Sequence, residues 1–89
     1  MSKVIVEKPE KQALKEKGVF SWPVWEKEIS EFEWTYVGDE QCYIIEGEFD
    51  VEAEGNVYHI EPGDFVTFKD GLQCVWKIKK PVKKHYNFL

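Results

Sequence analysis

The chain contains no arginine; all 12 of its basic residues are lysine. Without guanidinium there is no planar fork for phosphate or for base edges. Nucleic acid is therefore not an expected partner. Cysteine is also scarce. Cys42 and Cys74 are the whole complement, too few for a disulfide-stapled scaffold. No apolar run approaches the roughly 20 residues of a membrane-spanning helix, so no membrane partner is expected. The opening Met1-Ser2-Lys3-Val4 has no apolar stretch of the secretion-signal kind. These absences together lead us to expect a cytoplasmic protein with reduced thiols. Internal repeats and low-complexity segments are missing as well.

What is present is aromatic. The 89 residues are 43% hydrophobic and 16% aromatic, with four Trp, four Tyr and six Phe. That excludes disorder as the main description and suits a single domain over residues 1–89. A domain this small buries only about 60–65% of its unfolded surface, so its stability rests on that aromatic core. A homodimer would add to it. The short apolar stretch Val4-Ile5-Val6 would be an edge strand suited to such pairing.

Charge is unevenly distributed along the chain. Residues 1–25 carry a balance of +2, residues 26–64 one of −12 and residues 65–89 one of +5. An acidic middle and a basic end suggest strands lying side by side, facing surfaces of two subunits, or simply solvated faces of opposite sign.

Period-two alternation dominates after residue 20. Phe32, Trp34 and Tyr36 fall on one face of a strand, with Glu31, Glu33 and Thr35 on the other. Gln41 to Glu46 is apolar on both faces, as in a covered strand, and Gly47 is read as its break. Glu48 to Glu54 alternates again, with Gly55-Asn56 as a hairpin turn into Val57 to Ile60. Pro62-Gly63-Asp64 and Lys69-Asp70-Gly71 are turns around Phe65 to Phe68. Leu72 to Lys79 reads as a strand ended by Pro81, and Val82 to Leu89 as a last strand. Only Pro9 to Lys17 looks helical, starting with proline and stopping at Gly18. The pattern predicts an all-β, antiparallel jelly-roll barrel with one short N-terminal helix.

Alternation also gathers unusual side chains on the inner face: Tyr36, Glu40, Cys42, Cys74, Trp34 and Trp76. A carboxylate among indoles and a phenol is costly to bury unpaired. With Gly47 seven residues after Glu40, and with Pro62-Gly63-Asp64 followed by Lys69-Asp70-Gly71-Leu72-Gln73-Cys74, the chain resembles the cupins. It is most similar to the short cupins of the ethanolamine-utilisation and ureidoglycine aminohydrolase type. The first cupin motif has His-x-His ahead of its glutamate, but Trp34 and Tyr36 stand at those positions here. In the second motif Lys69 replaces a proline and Cys74 a histidine. The resemblance implies a barrel pocket, and in a typical member a divalent metal held by three His and one Glu. Of that set only Glu40 is kept, so no metal cofactor is expected. A metal held by Glu40 and Cys74, with Tyr36 adding an oxygen, is the alternative.

The expectation is a small cupin that binds a small polar metabolite, with Trp34, Tyr36, Glu40, Trp76 and Tyr86 as the ligand-binding residues. Glu40, Cys74 and Tyr36 are the candidate catalytic groups, Glu40 as a metal-independent general acid or base. The alternatives are a metal-dependent hydrolase or isomerase acting on a small nitrogenous metabolite, and a structural module without chemistry. Structural readings stand beside the functional ones. Glu40 would pair with a lysine or cap a turn, Cys42 and Cys74 would be buried hydrophobes, and the indoles would be core. His59 is read as a surface residue, and His85 as surface, pocket or interface. Lys77, Lys79, Lys80, Lys83 and Lys84 are read as a solvated face, as a lure for an anion, or as a dock for a second subunit.

Overall fold

A computed structural model describes residues 2–89. Its elements in chain order are β1 (Val4–Glu7), α1 (Lys11–Glu16), a single 3-10 turn (Val19–Ser21), β2 (Val24–Lys27), β3 (Ser30–Thr35), β4 (Glu40–Ala53), β5 (Asn56–Ile60), β6 (Phe65–Phe68) and β7 (Gln73–Phe88). The sheet runs β1-β6-β4-β7-β2, with β3 also paired to β7 and β5 to β4. All these pairings are antiparallel.

Two strands organise everything else. β4 has 14 residues and β7 has 16, far beyond the usual five or six or so, and they pair with each other along most of their length. Alternation alone divides each in two, at Gly47 and at Pro81. Both strands in fact continue through these residues and bend there. At the bend the register shifts between Ile44 and Phe49. The buried residues of β4 accordingly switch parity, from Glu40, Cys42 and Ile44 to Phe49, Val51 and Ala53. Gly47 sits at φ +98, where a Cβ would lie 2.3 Å from the Pro81 carbonyl oxygen. Only glycine permits that approach. Pro81 lacks an N–H and has no partner on β4, so it occupies the gap in the ladder without loss.

The bend folds the sheet over the larger of two apolar clusters. Cys42, Ile44, Val66 and Phe68 from one half meet Phe49, Val51, Trp76 and Ile78 from the other. The result is the antiparallel jelly roll that the alternation predicts, although its sheet does not close. Helix α1 is shorter than the Pro9–Lys17 expectation, and it buries Leu14 against Val19 and Phe65 in a second cluster. Strand β2 and the 3-10 turn leave no pattern in the sequence. Four residues between Pro23 and Glu28 are too few to display a period.

The charge asymmetry resolves inside one chain. Lys77 meets Glu52 at 2.7 Å, Lys79 meets Asp50 at 2.9 Å and Lys80 meets Glu48 at 3.1 Å, so the acidic and basic segments are neighbouring strands. Among the described residues no helix is long and apolar enough to cross a membrane.

Candidate functional site

Between the two halves of the sheet lies a cavity of about 590 Å³. Its walls come from four strands and the loop after β3. β2 contributes Trp25 and Lys27, while β3 and its loop contribute Phe32, Glu33, Trp34 and Tyr36. Glu40 is the first residue of β4, and β7 adds Trp76, Lys84, Tyr86 and Phe88. The back wall is a ring stack. Trp76 lies parallel to Phe49 with centroids 4.3 Å apart, and Phe32 stacks on it at 5.8 Å. Tyr36 stacks on Phe68 at 4.9 Å. Offset stacking of this kind adds to area burial and fixes ring orientation. Trp34 is the exception to its expected inward position. It is 49% exposed and stands at the mouth, edge-on to Tyr36.

At the floor are two buried charges. Glu40 and Lys84 are 3% and 4% exposed, and Lys84 Nζ donates to Glu40 Oε2 at 3.2 Å. The same ammonium lies 4.9 Å from the Trp25 ring and 4.8 Å from the Trp76 ring, within cation–π range. Burial, reinforced by the neighbouring Glu40 carboxylate, pushes the Tyr36 phenol well above its ordinary range. It therefore stays protonated.

The structure brings Trp34, Tyr36, Glu40, Trp76 and Tyr86 to this one cavity. Cys74 is not in its wall. Its Sγ lies 3.5 Å from the Trp34 carbonyl oxygen and donates to it, and it borders a separate open cleft near the Glu54-Gly55 turn. Burial raises the Cys74 thiol pKa. It also raises that of Cys42, pushed up to about 12, so both sulfurs are poor nucleophiles. His59 is outside the cavity, with Nδ1 2.8 Å from Asp50 and Nε2 3.2 Å from Glu48. His85 is also outside, donating from Nδ1 to the Trp22 carbonyl at 2.9 Å. Among the described residues, no three His, Cys, Asp or Glu side chains gather as a metal-ligand set.

Lys84, Trp25, Lys27 and Phe88 line the cavity without having been expected there from the sequence. Of the three readings of the lysine run, solvated face, lure for an anion and dock for a second subunit, the structure overturns the first for Lys84, which is buried. The signal was available: Cys74, Trp76, Ile78, Val82, Lys84 and Tyr86 share one parity on a single strand. Breaking the strand at Pro81 hid the continuity. Trp25 follows from Lys84, because the two are paired across β2 and β7.

Residues 14–86 match the EutQ-like cupin domain. Among solved structures, a DUF861 family protein from Thermotoga maritima superposes with a TM-score of 0.94 at 54% identity, covering 97% of this chain and 99% of that one. The Clostridium difficile EutQ protein gives a TM-score of 0.65 at 22% identity, over 71% of this chain and 50% of that one. A putative ethanolamine utilization protein Q from Salmonella typhimurium LT2 gives 0.65 at 25% identity, over 71% and 51%. The chain thus covers about half the length of these last two proteins. No curated protein matches it in sequence.

Proposed function

The chain belongs to the EutQ-like cupin family, and from that premise we propose that it binds a small polar metabolite in the jelly-roll cavity without the metal centre typical of cupins. The observation that carries this reading is the cavity itself. An aromatic-walled space of about 590 Å³ ends on the buried Lys84–Glu40 pair. Small-molecule sites combine mostly apolar walls with a few convergent polar groups. A barrel serving only as a structural module would fill this volume with side chains.

The donor chemistry supports the metal-free part. At the positions resembling the cupin ligands stand an indole (Trp34), a phenol held protonated by burial (Tyr36) and a thiol whose pKa burial raises (Cys74). Glu40 already has a cation, the Lys84 ammonium at 3.2 Å. These residues do not fit a divalent metal, which takes three or more protein ligands, deprotonated where they are thiols. In this reading Trp34, Trp76 and Tyr86 supply walls, and Tyr36, Glu40 and Lys84 orient the polar end of the ligand. Proton transfer to or from a bound molecule would fall to Glu40.

A thermal-shift screen of small metabolites, followed by titration of the tryptophan fluorescence, tests the proposal. A ligand present at 100 times its dissociation constant stabilises by about 2.7 kcal/mol, a shift of roughly 10–20 °C for a domain this size. Trp34→Ala should remove most of that shift. A stoichiometric metal in the purified protein, lost in both Glu40→Ala and Cys74→Ala, would overturn the metal-free reading.

A further inference from the structure

The charges around the cavity cancel. Lys27 and Lys84 stand against Glu33 and Glu40 in its wall, and Lys27 already lies 3.7 Å from Glu28. Neither an anion nor a cation gains by entering, so the occupant that fits is neutral. What the cavity offers such a molecule is an amine. Among the described residues Lys84 is the one buried lysine, and it lines this space. Its Nζ is held by a single carboxylate oxygen at 3.2 Å and flanked by the Trp25 and Trp76 rings. A tight charge-assisted bond runs about 2.7–2.9 Å, so the ammonium is not clamped.

A lysine desolvated against apolar walls, with a carboxylate at hand to take its proton, is the setting in which an amine adds to a carbonyl. We propose that the cavity takes small neutral aldehydes or ketones, and that Lys84 captures their carbonyl carbon as an imine. The inference rests on the cavity reading above and gives it a substrate class.

Lys84 Nζ first passes a proton to Glu40, 3.2 Å away. This turns a buried ion pair into an amine and a carboxylic acid, neither of which carries the desolvation cost of a charge. The freed lone pair attacks the carbonyl carbon and forms the N–C bond, while the carbonyl oxygen takes the proton held by Glu40. A second proton leaves the nitrogen by the same carboxylate, the C–O bond breaks, and the oxygen departs as water. The nitrogen keeps its third proton as an iminium. The positive charge beside Glu40 is thereby restored, and no oxidant or reductant is needed.

The test treats the intact chain with benzaldehyde and cyanoborohydride, which reduces an imine to a stable secondary amine, and locates the benzylated lysines by peptide mass mapping. The exposed Lys79 and Lys80 serve as internal references. Because the cavity holds the carbonyl beside the amine, Lys84 should be labelled roughly tenfold faster than either, or more. Lys84→Arg keeps a cation beside Glu40 but has no amine to add. It should lose the fast label and leave the exposed lysines labelled as before. Lys84→Met/Glu40→Leu, which removes both charges, gives the same readout where arginine does not fit. Benzyl alcohol has the same ring and no carbonyl, and should shift the Trp25 and Trp76 indole N–H resonances without covalent change. If it shifts them but Lys84 is labelled no faster than Lys79, the inference is wrong while the cavity reading stands. If Lys84 stays unlabelled and neither compound moves the indoles, the inference is also wrong, and the metabolite screen decides the cavity reading.

Discussion

Strands β4 and β7 carry lysine–carboxylate pairs on both sides of their shared bend, and the two settings differ sharply. Lys77–Glu52, Lys79–Asp50 and Lys80–Glu48 form a ladder on the outer face, with lysine side chains 38%, 57% and 70% exposed. Lys84–Glu40 is the same chemical pair, but buried to 5% and 4% exposure. In the ladder, water and salt screen each attraction, and an exposed pair contributes only about 0–1 kcal/mol. At the cavity floor the attraction is stronger, but both ions have lost their hydration. Two apolar residues in their place would generally fold as well or better. The ladder therefore explains how the strands match, whereas the buried pair is not accounted for by stability. That contrast is why the floor reads as a site.

The sharpest way to break the comparison is to leave one buried charge alone. Lys84→Met should destabilise the fold by about 3–5 kcal/mol, because Glu40 stays buried without its cation. Lys84→Met/Glu40→Leu should recover most of that loss, since it removes both charges. Urea unfolding of the two variants measures the difference. A single variant no less stable than Lys79→Ala would mean that the two settings are energetically alike.

A second test addresses the bend that separates them. Gly47→Ala places a methyl group against the Pro81 carbonyl at a backbone angle that alanine resists. The expected cost is about 2–4 kcal/mol from strain and overpacking together, read as a lower midpoint in urea. A loss below about 1 kcal/mol would show that the strands bend without the close approach. The parity switch between Ile44 and Phe49 would then need another cause.

The same bend marks the limit of what the sequence made legible. Alternation identified the inner positions Glu40, Cys42, Cys74 and Trp76 because each lies in a locally regular strand, and Tyr36 because it continues the parity of β3 one residue past its end. It failed where regularity is broken. Gly47 and Pro81 are ordinary punctuation in a sequence, and only the close passage of two backbones reveals them as bends within continuous strands. Lys84 was lost for that reason: it lies three residues beyond Pro81, among exposed lysines. Trp34 was assigned by parity alone, but β3 pairs only with β7, and its end is open to solvent at the mouth. Cys74 has inward parity and is buried, yet it borders the neighbouring cleft. Parity selects a face of the sheet and says nothing of position along the barrel.

The outer ladder should respond far more weakly. A double-mutant cycle on Lys79→Ala and Asp50→Ala should give a coupling below about 1 kcal/mol. That coupling should shrink in concentrated salt, where the screening length falls to about 3 Å. A coupling as large as the Lys84→Met loss would erase the distinction between the two faces.

The smallest effect is expected from His59, which caps the ladder between Asp50 and Glu48. The hydrogen bond to Asp50 raises its pKa above the ordinary 6.5. A raised folded-state pKa means a contribution that is fully present below the unfolded value and lost as pH climbs through the folded one. Asp50 and Glu48 are shifted the other way, mainly by His59 and Lys80 respectively. Their contribution is present above the usual carboxylate range and lost as pH falls through the lowered values. The ladder should thus be strongest in mildly acidic solution. Thermal unfolding at about pH 5.5 and about pH 8.5 should separate the native chain from His59→Gln more at the lower pH. An equal gap at both would detach His59 from the carboxylates it touches, leaving the lysines alone to hold the outer face.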